Sequence, residues 1–153
     1  MLARAMESHF DVHVYYEDTD CMGIVYHANY LKFLERARTE LVAALGSTVR
    51  QWSDHGYIFP IYSVQIGFRS PAKLGDTLRI TTRPKRLSAF RYAFDQRIER
   101  LDDGQLIVEA KVEVVCTNHD GQLREYPDMQ LPPPPVPVEQ LQHVERIEHA
   151  AHA

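Results

Sequence analysis

Apolar residues alternate from His9 to Tyr16, through Phe10, Val12, Val14 and Tyr16, with the two-residue period of a half-buried strand. A polar stretch from Glu17 to Gly23 ends that pattern. From Asn29 to Leu45 the period lengthens. Leu31, Leu34, Leu41 and Leu45, flanked by Phe33, Ala37 and Ala44, recur at helical spacing, and Gly46 follows where a left-handed cap belongs. Glu35 and Arg38, one turn apart, are expected to pair on the helix surface. Thr48 to His55 predicts a short helical turn that Gly56 ends. Four strand-like segments follow with no helix between them. They are Ile58–Phe68, Thr77–Arg86, an alternation through Phe90, Tyr92, Phe94, Gln96 and Ile98, and one through Leu106, Val108, Ala110, Val112, Val114 and Cys116. Asp102-Asp103-Gly104 reads as a hairpin turn between the last two, and Asp120-Gly121 as a further turn. A strand, a long helix and four antiparallel strands make an α+β domain, expected to occupy residues 1–131.

The pattern changes after Leu131. Five of the nine prolines fall within Pro132 to Pro137, a stiff extended segment that no sheet accommodates. Beyond it, Val138 to Ala153 offers one weak amphipathic repeat through Leu141, Val144 and Ile147, so residues 132–153 read as a Pro-rich segment and tail. The 153 residues hold one domain with a sizeable core. Seventeen basic against twenty-one acidic residues give a net charge of −4, which argues against a nucleic-acid-binding surface. No apolar run approaches the roughly 20 residues of a spanning helix, so membrane insertion is not expected. Arg4, Glu7 and His9 interrupt any secretory signal at the start. Two cysteines, Cys21 and Cys116, are too few for a disulfide framework and point to a reducing cytoplasm.

Chemistry concentrates between Tyr15 and Tyr30, which join the first strand to the long helix. A helix start presents unpaired N–H groups and the positive end of the helix dipole, and can hold an oxyanion or a polarised carbonyl oxygen there. Gly23 permits close backbone approach, Asp20 lies just upstream and His27 just downstream. A carboxylate and an imidazole beside such an end suit general-base or nucleophilic attack on an acyl carbonyl. Other readings of the same residues stand beside this one. Asp18 or Asp20 can simply cap a turn, His27 can be a solvated residue, and Glu35 can belong to an ion-paired helix face or act as a second carboxylate. Asp18, Asp20 and His27 as a metal site lack any strong ligand spacing, and no metal is expected.

The run Tyr16-x-x-x-Asp20-x-x-Gly23-x-Val25-Tyr26-His27-x-Asn29-Tyr30, followed by Phe33-x-Glu35-x-Ala37-Arg38, resembles the signature of hotdog-fold acyl-CoA thioesterases. It is similar in particular to the 4-hydroxybenzoyl-CoA thioesterase-like group and, within it, to the YbgC-type enzymes associated with the Tol–Pal system. The resemblance covers about residues 9 to 131. It implies an antiparallel sheet wrapped around one long central helix, and hydrolysis of acyl-CoA to free acid and CoA without a cofactor. It further implies a homodimer or homotetramer with sites at the subunit boundary. Asp20 takes the place of the catalytic aspartate, as nucleophile or as the base that activates water. The backbone N–H of His27 takes that of the carbonyl-polarising donor. The side chains of His27 and Tyr16 match site residues of the YbgC-type branch, and Gly23, Val25 and Tyr26 are implied to line the substrate. Lys85, Arg86, Ser88 and Phe90, with Arg91, match the strand junction where the family binds CoA; a charged strand edge is the alternative reading of the basic pair. The competing functions are a hotdog hydratase or dehydratase, for which the helix from Leu31 to Leu45 supplies no histidine, and a non-catalytic acyl-thioester-binding or scaffolding subunit.

Overall fold

Strand β1 spans Ser8–His13 and ends earlier than the alternation predicts. Val14 still pairs, its N–H donating to the Asp76 carbonyl at 2.9 Å, but the Tyr15 N–H turns aside to the Asp18 carboxylate at 2.8 Å. That capture folds Tyr16–Asp18 into a 3-10 turn, so Tyr16 leaves the sheet. The computed structural model describes residues 6–130; the Pro-rich segment and the repeat at Leu141, Val144 and Ile147 lie outside the described residues. Helix α1, Asn29–Ala44, matches the expected segment to within a residue, and Gly46 follows it at φ +127°. Helix α2, Val49–Asp54, is capped by Thr48, whose hydroxyl accepts the Gln51 N–H.

The strands that follow are β2, Ile61–Phe68; β3, Thr77–Arg86; β4, Arg91–Arg100; and β5, Leu106–Val115. β2 begins three residues later than expected. Pro60 has no N–H to give, so Ile58 contributes only an isolated bridge to Thr117. All pairings are antiparallel and the sheet order is β1-β3-β4-β5-β2, which places β2 beside β5 rather than beside its neighbour in sequence.

One face of α1 supplies Tyr30, Phe33, Leu34, Ala37 and Leu41 to the core. The first four meet Val12 and Val14 of the first segment, Leu78 and Ile80 of β3, Ile98 of β4, and Ile107 and Val108 of β5. A second cluster joins Leu41 to Phe94, Val112 and Val114. Leu31, though on the expected helical repeat, is 42% exposed, because the buried stripe runs one position away from it. The expected surface pair of Glu35 with Arg38 does not form. The Arg38 guanidinium reaches the sheet and donates to Gln96 Oε1 at 2.8 Å, while Glu35 Oε1 accepts the Thr39 hydroxyl at 2.6 Å.

Candidate functional site

The polar stretch after β1 folds back on itself. Asp20 N–H donates to the Ile24 carbonyl at 2.9 Å, and Gly23 N–H to the Asp20 carbonyl at 3.0 Å. Gly23 sits at φ +75°, a conformation open to glycine at little cost. Thr19 and Val25 form a bridge, and the Tyr26 N–H meets the Asp18 carbonyl at 2.8 Å. Two limbs therefore run side by side, with Asp20 on one and His27 just past the end of the other. The loop is anchored from two directions. Val25 N–H donates to the Ala72 carbonyl at 2.9 Å, and the Ala72 N–H donates to the buried Tyr30 hydroxyl at 3.1 Å. The Asn29 side-chain amide closes the other side on the Asp18 carbonyl at 3.0 Å.

Burial separates the two aspartates that sequence spacing left equivalent. Asp18 is buried, and its carboxylate holds the Tyr15 N–H. Asp20 is more open; one carboxylate oxygen accepts the Met22 N–H at 2.8 Å and the other carries no bond from a described residue. The capping role is thus real for both, each through one carboxylate oxygen, and the difference between them is exposure: Asp18 is buried and Asp20 is partly open to solvent.

The start of α1 is the second component. Its N-cap is Ala28, which offers no side-chain acceptor. Asn29 N–H is used by the Tyr26 carbonyl, whereas the N–H groups of His27 and Ala28 meet no acceptor among the described residues. The His27 ring is exposed, lies 4.6 Å from the Tyr26 ring and meets Phe68, the last residue of β2, edge-on at 6.2 Å. Tyr16, on the 3-10 turn, is 83% exposed. Glu35 lies two turns along α1, on the wall of a groove of about 740 Å³ between that helix and the sheet.

Lys85, Arg86, Ser88 and Phe90 sit elsewhere. They occupy the end of β3 and the turn into β4, where Arg86 Nε donates to the Ser88 carbonyl at 3.0 Å and the Phe90 N–H donates to Ser88 Oγ at 3.1 Å. Among the described residues β1 runs out opposite Thr82, which leaves one edge of Arg83–Arg86 unpaired by them, and Pro84 is tolerated there. The charged-edge reading therefore fits these residues. The opposite end of β3 is the one nearest the Asp20 loop. At about 3.3 Å per residue the ten residues of β3 put its two ends about 30 Å apart. Within one copy the structure brings Asp20, Gly23, Val25, Tyr26 and His27 together and leaves this second group at the far end of the sheet. Sequence reasoning gave no separate role to the residues that set the loop, Asn29, Tyr30, Phe68 and Ala72. Asn29 and Tyr30 stood in the motif, whereas Phe68 and Ala72 carried no signal of their own.

A five-stranded antiparallel sheet with a long helix on one face, and an open helix start on the loop that presents Asp20, form an arrangement of hotdog type. The profile of the thioesterase-like superfamily matches residues 14–144. The chain belongs to that superfamily. It is 37% identical over 110 residues to the acyl-CoA thioesterase YbgC of Haemophilus influenzae, a match that covers 71% of this chain and 79% of that one. Among solved structures, a probable thioesterase from Bartonella henselae is 35% identical with a TM-score of 0.74, covering 80% of this chain and 100% of its own. The 1,4-dihydroxy-2-naphthoyl-CoA thioesterase from Synechocystis, at 24% identity, gives a TM-score of 0.77 over 81% of this chain and 92% of that one, a likeness of fold. Among the described residues no helix is long and apolar enough to cross a membrane.

Proposed function

We propose that this protein hydrolyses acyl-CoA thioesters to the free acid and CoA. The observation that carries the reading is the uncapped start of α1, with the His27 N–H open, on the loop that presents Asp20. A thioester carbonyl is already electrophilic. Its oxygen accepts the His27 N–H, and the helix dipole stabilises the negative charge that develops there. Asp20 supplies the second element, its spare oxygen adding to the carbonyl carbon or removing a proton from the attacking water. The C–S bond then breaks and CoA leaves as a thiolate that takes up a proton relayed by the His27 imidazole. Where Asp20 has added to the carbonyl, water then hydrolyses the acyl-aspartyl anhydride to the free acid and restores the carboxylate. Tyr16 contributes from the adjoining turn.

The working unit in this reading is a homodimer. β2 is an edge strand with Ile61, Tyr62, Val64 and Phe68 exposed at 40% or more, an edge that a second β2 would cover. Antiparallel pairing of two such edges sets the Phe68 end of one against the Ile61 end of the other. Ile61 pairs with Val114, Val114 with Tyr92, and Tyr92 with Arg86, so one row links that end to the β3–β4 turn. The partner's basic turn thereby approaches this copy's Asp20 loop, and Lys85, Arg86, Ser88 and Phe90 serve the CoA held by the other subunit. The cytoplasm is the compartment that suits an exposed free thiol at Cys21.

The test is release of free thiol from a panel of acyl-CoAs of graded length plus one aroyl-CoA, with Glu35→Gln as control. Turnover by the wild type that Glu35→Gln retains supports the reading. Absence of turnover across the panel by a folded protein makes it a binding subunit, and a collapse in Glu35→Gln moves the catalytic carboxylate onto the helix.

A further inference from the structure

The mechanism above leaves one half-buried cation unexplained. Arg38 projects from α1 into the wall of the 740 Å³ groove. One guanidinium nitrogen donates to Gln96 Oε1 at 2.8 Å. The Gln96 amide nitrogen is itself committed to the Leu34 carbonyl and to Thr82 Oγ1, both at 3.0 Å. Gln96 therefore has no freedom to flip, and Arg38 is held in place by a neutral dipole. No carboxylate of the described residues lies within ion-pair distance of it. Glu35, the acid one turn away, is engaged by Thr39, and Asp128 and Arg86 are the other charged groups on the wall. Burial holds the Arg38 pKa below the ordinary guanidinium value, the nearby Glu35 charge opposes that shift only in part, and a guanidinium stays charged regardless. A half-buried guanidinium whose only hydrogen bond from the described residues goes to a neutral amide, with Glu35 acting on it at longer range, keeps donors free for a second carboxylate. Around it the floor is apolar, formed by Leu41, Phe94 and Val114.

The position of Arg38 gives the anion a place in the substrate. Leu31, Glu35, Arg38 and Val42 follow one stripe of α1 that leads from the His27 end into the groove. Arg38 is nine residues beyond Asn29, about 13 Å along the axis at 1.5 Å per residue. We propose that Arg38 recognises a carboxylate at the distal end of the acyl chain, so that the preferred substrates are ω-carboxyacyl thioesters of medium length. The proposal rests on the thioesterase reading and deepens it. The fork of the guanidinium matches a carboxylate in two-point geometry, and a methyl-terminated chain leaves those donors unpaired.

The experiment compares matched pairs, octanoyl-CoA with suberyl-CoA and decanoyl-CoA with sebacyl-CoA, on wild type, Arg38→Gln and Arg38→Lys. Wild type is expected to favour the carboxylated member in kcat/KM by about ten- to a hundredfold, the value of a hydrogen-bonded charge in a partly dry site. Arg38→Gln should bring that ratio to about one, and Arg38→Lys should restore part of it. A wild-type preference for the methyl-terminated member overturns the proposal. So does an equal loss on both members in Arg38→Gln, which marks a structural role or a grip on the phosphates common to both. Should Arg38→Gln not fold, the wild-type ratio decides alone. Calorimetric binding of suberyl-CoA and octanoyl-CoA separates the two readings. Selective binding without turnover refutes the thioesterase and keeps the Arg38 site, and turnover without selectivity does the reverse.

Discussion

Asp18 and Asp20 are chemically identical and two residues apart, and isosteric replacement should separate them in opposite readouts. Asp18 is 9% exposed and its carboxylate accepts the Tyr15 N–H at 2.8 Å, a charge-assisted bond with little water to screen it. Asn at that position keeps an acceptor but makes the bond neutral, a difference of about 1 kcal/mol, and it buries amide donors with no evident partner, for a total of about 1–2 kcal/mol. Asp20 holds only the Met22 N–H, at 2.8 Å and in a more open setting, so Asn preserves that contact and should change stability by less than about 0.5 kcal/mol. Its removal as base or nucleophile should instead cost about a thousandfold in kcat, or about 4 kcal/mol of barrier. Urea unfolding at fixed protein concentration and steady-state thiol release, run on both variants, read the two axes. Asp18→Asn should lose stability and keep at least about a tenth of wild-type kcat; Asp20→Asn should lose kcat and keep stability. A stable Asp18→Asn with collapsed activity, or an Asp20→Asn that still turns over near the wild-type rate, would refute the assignment of roles.

Three further outcomes are expected. Tyr30→Phe strands the Ala72 N–H in the core and loosens the strut behind Val25; it should lower stability by about 1–3 kcal/mol in urea titration, and no measurable change would remove Tyr30 from the anchor of the loop. Val64→Lys puts a charge at the middle of the exposed β2 edge; on the proposed β2 pairing, wild type should sediment as a dimer and the variant as a monomer with loss of turnover, and an active monomer would mean that one copy holds the complete site. Burial pushes the Cys116 thiol up from 9.0 to about 11, so at pH 8 a disulfide-exchange reagent should titrate Cys21 promptly and Cys116 only on unfolding. A raised folded pKa stabilises fully below the unfolded value and is lost upward, so stability should fall between about pH 9 and 11 and fall less in Cys116→Ala.

How much of this was legible in the chain depends on the range of the interaction concerned. Local periods located α1, β3 and the β4–β5 hairpin to within a few residues, because each is set by which side chains repeat along a short stretch. Errors arose where one distant or polar contact overrode the period. The Asp18 carboxylate ended β1 early, Pro60 delayed β2, and Gln96, 58 residues away from Arg38, drew that arginine off the helix surface. The motif from Tyr16 to Tyr30 marked the site as a segment, since a loop and the helix it opens are contiguous in sequence.

The sequence by itself therefore determined the element types, the α+β class, the domain's resemblance and the loop that carries Asp20 and His27. Tertiary structure alone decided the rest. It moved β2 to an open edge beside β5, and it buried Asp18 while leaving Asp20 partly open to solvent. It also placed Lys85 and Arg86 about 30 Å from the Asp20 end of β3. The physical reason is that side-chain spacing encodes which face of an element is buried, whereas strand order, free edges and the partner of a buried charge are set by contacts between residues far apart in the chain.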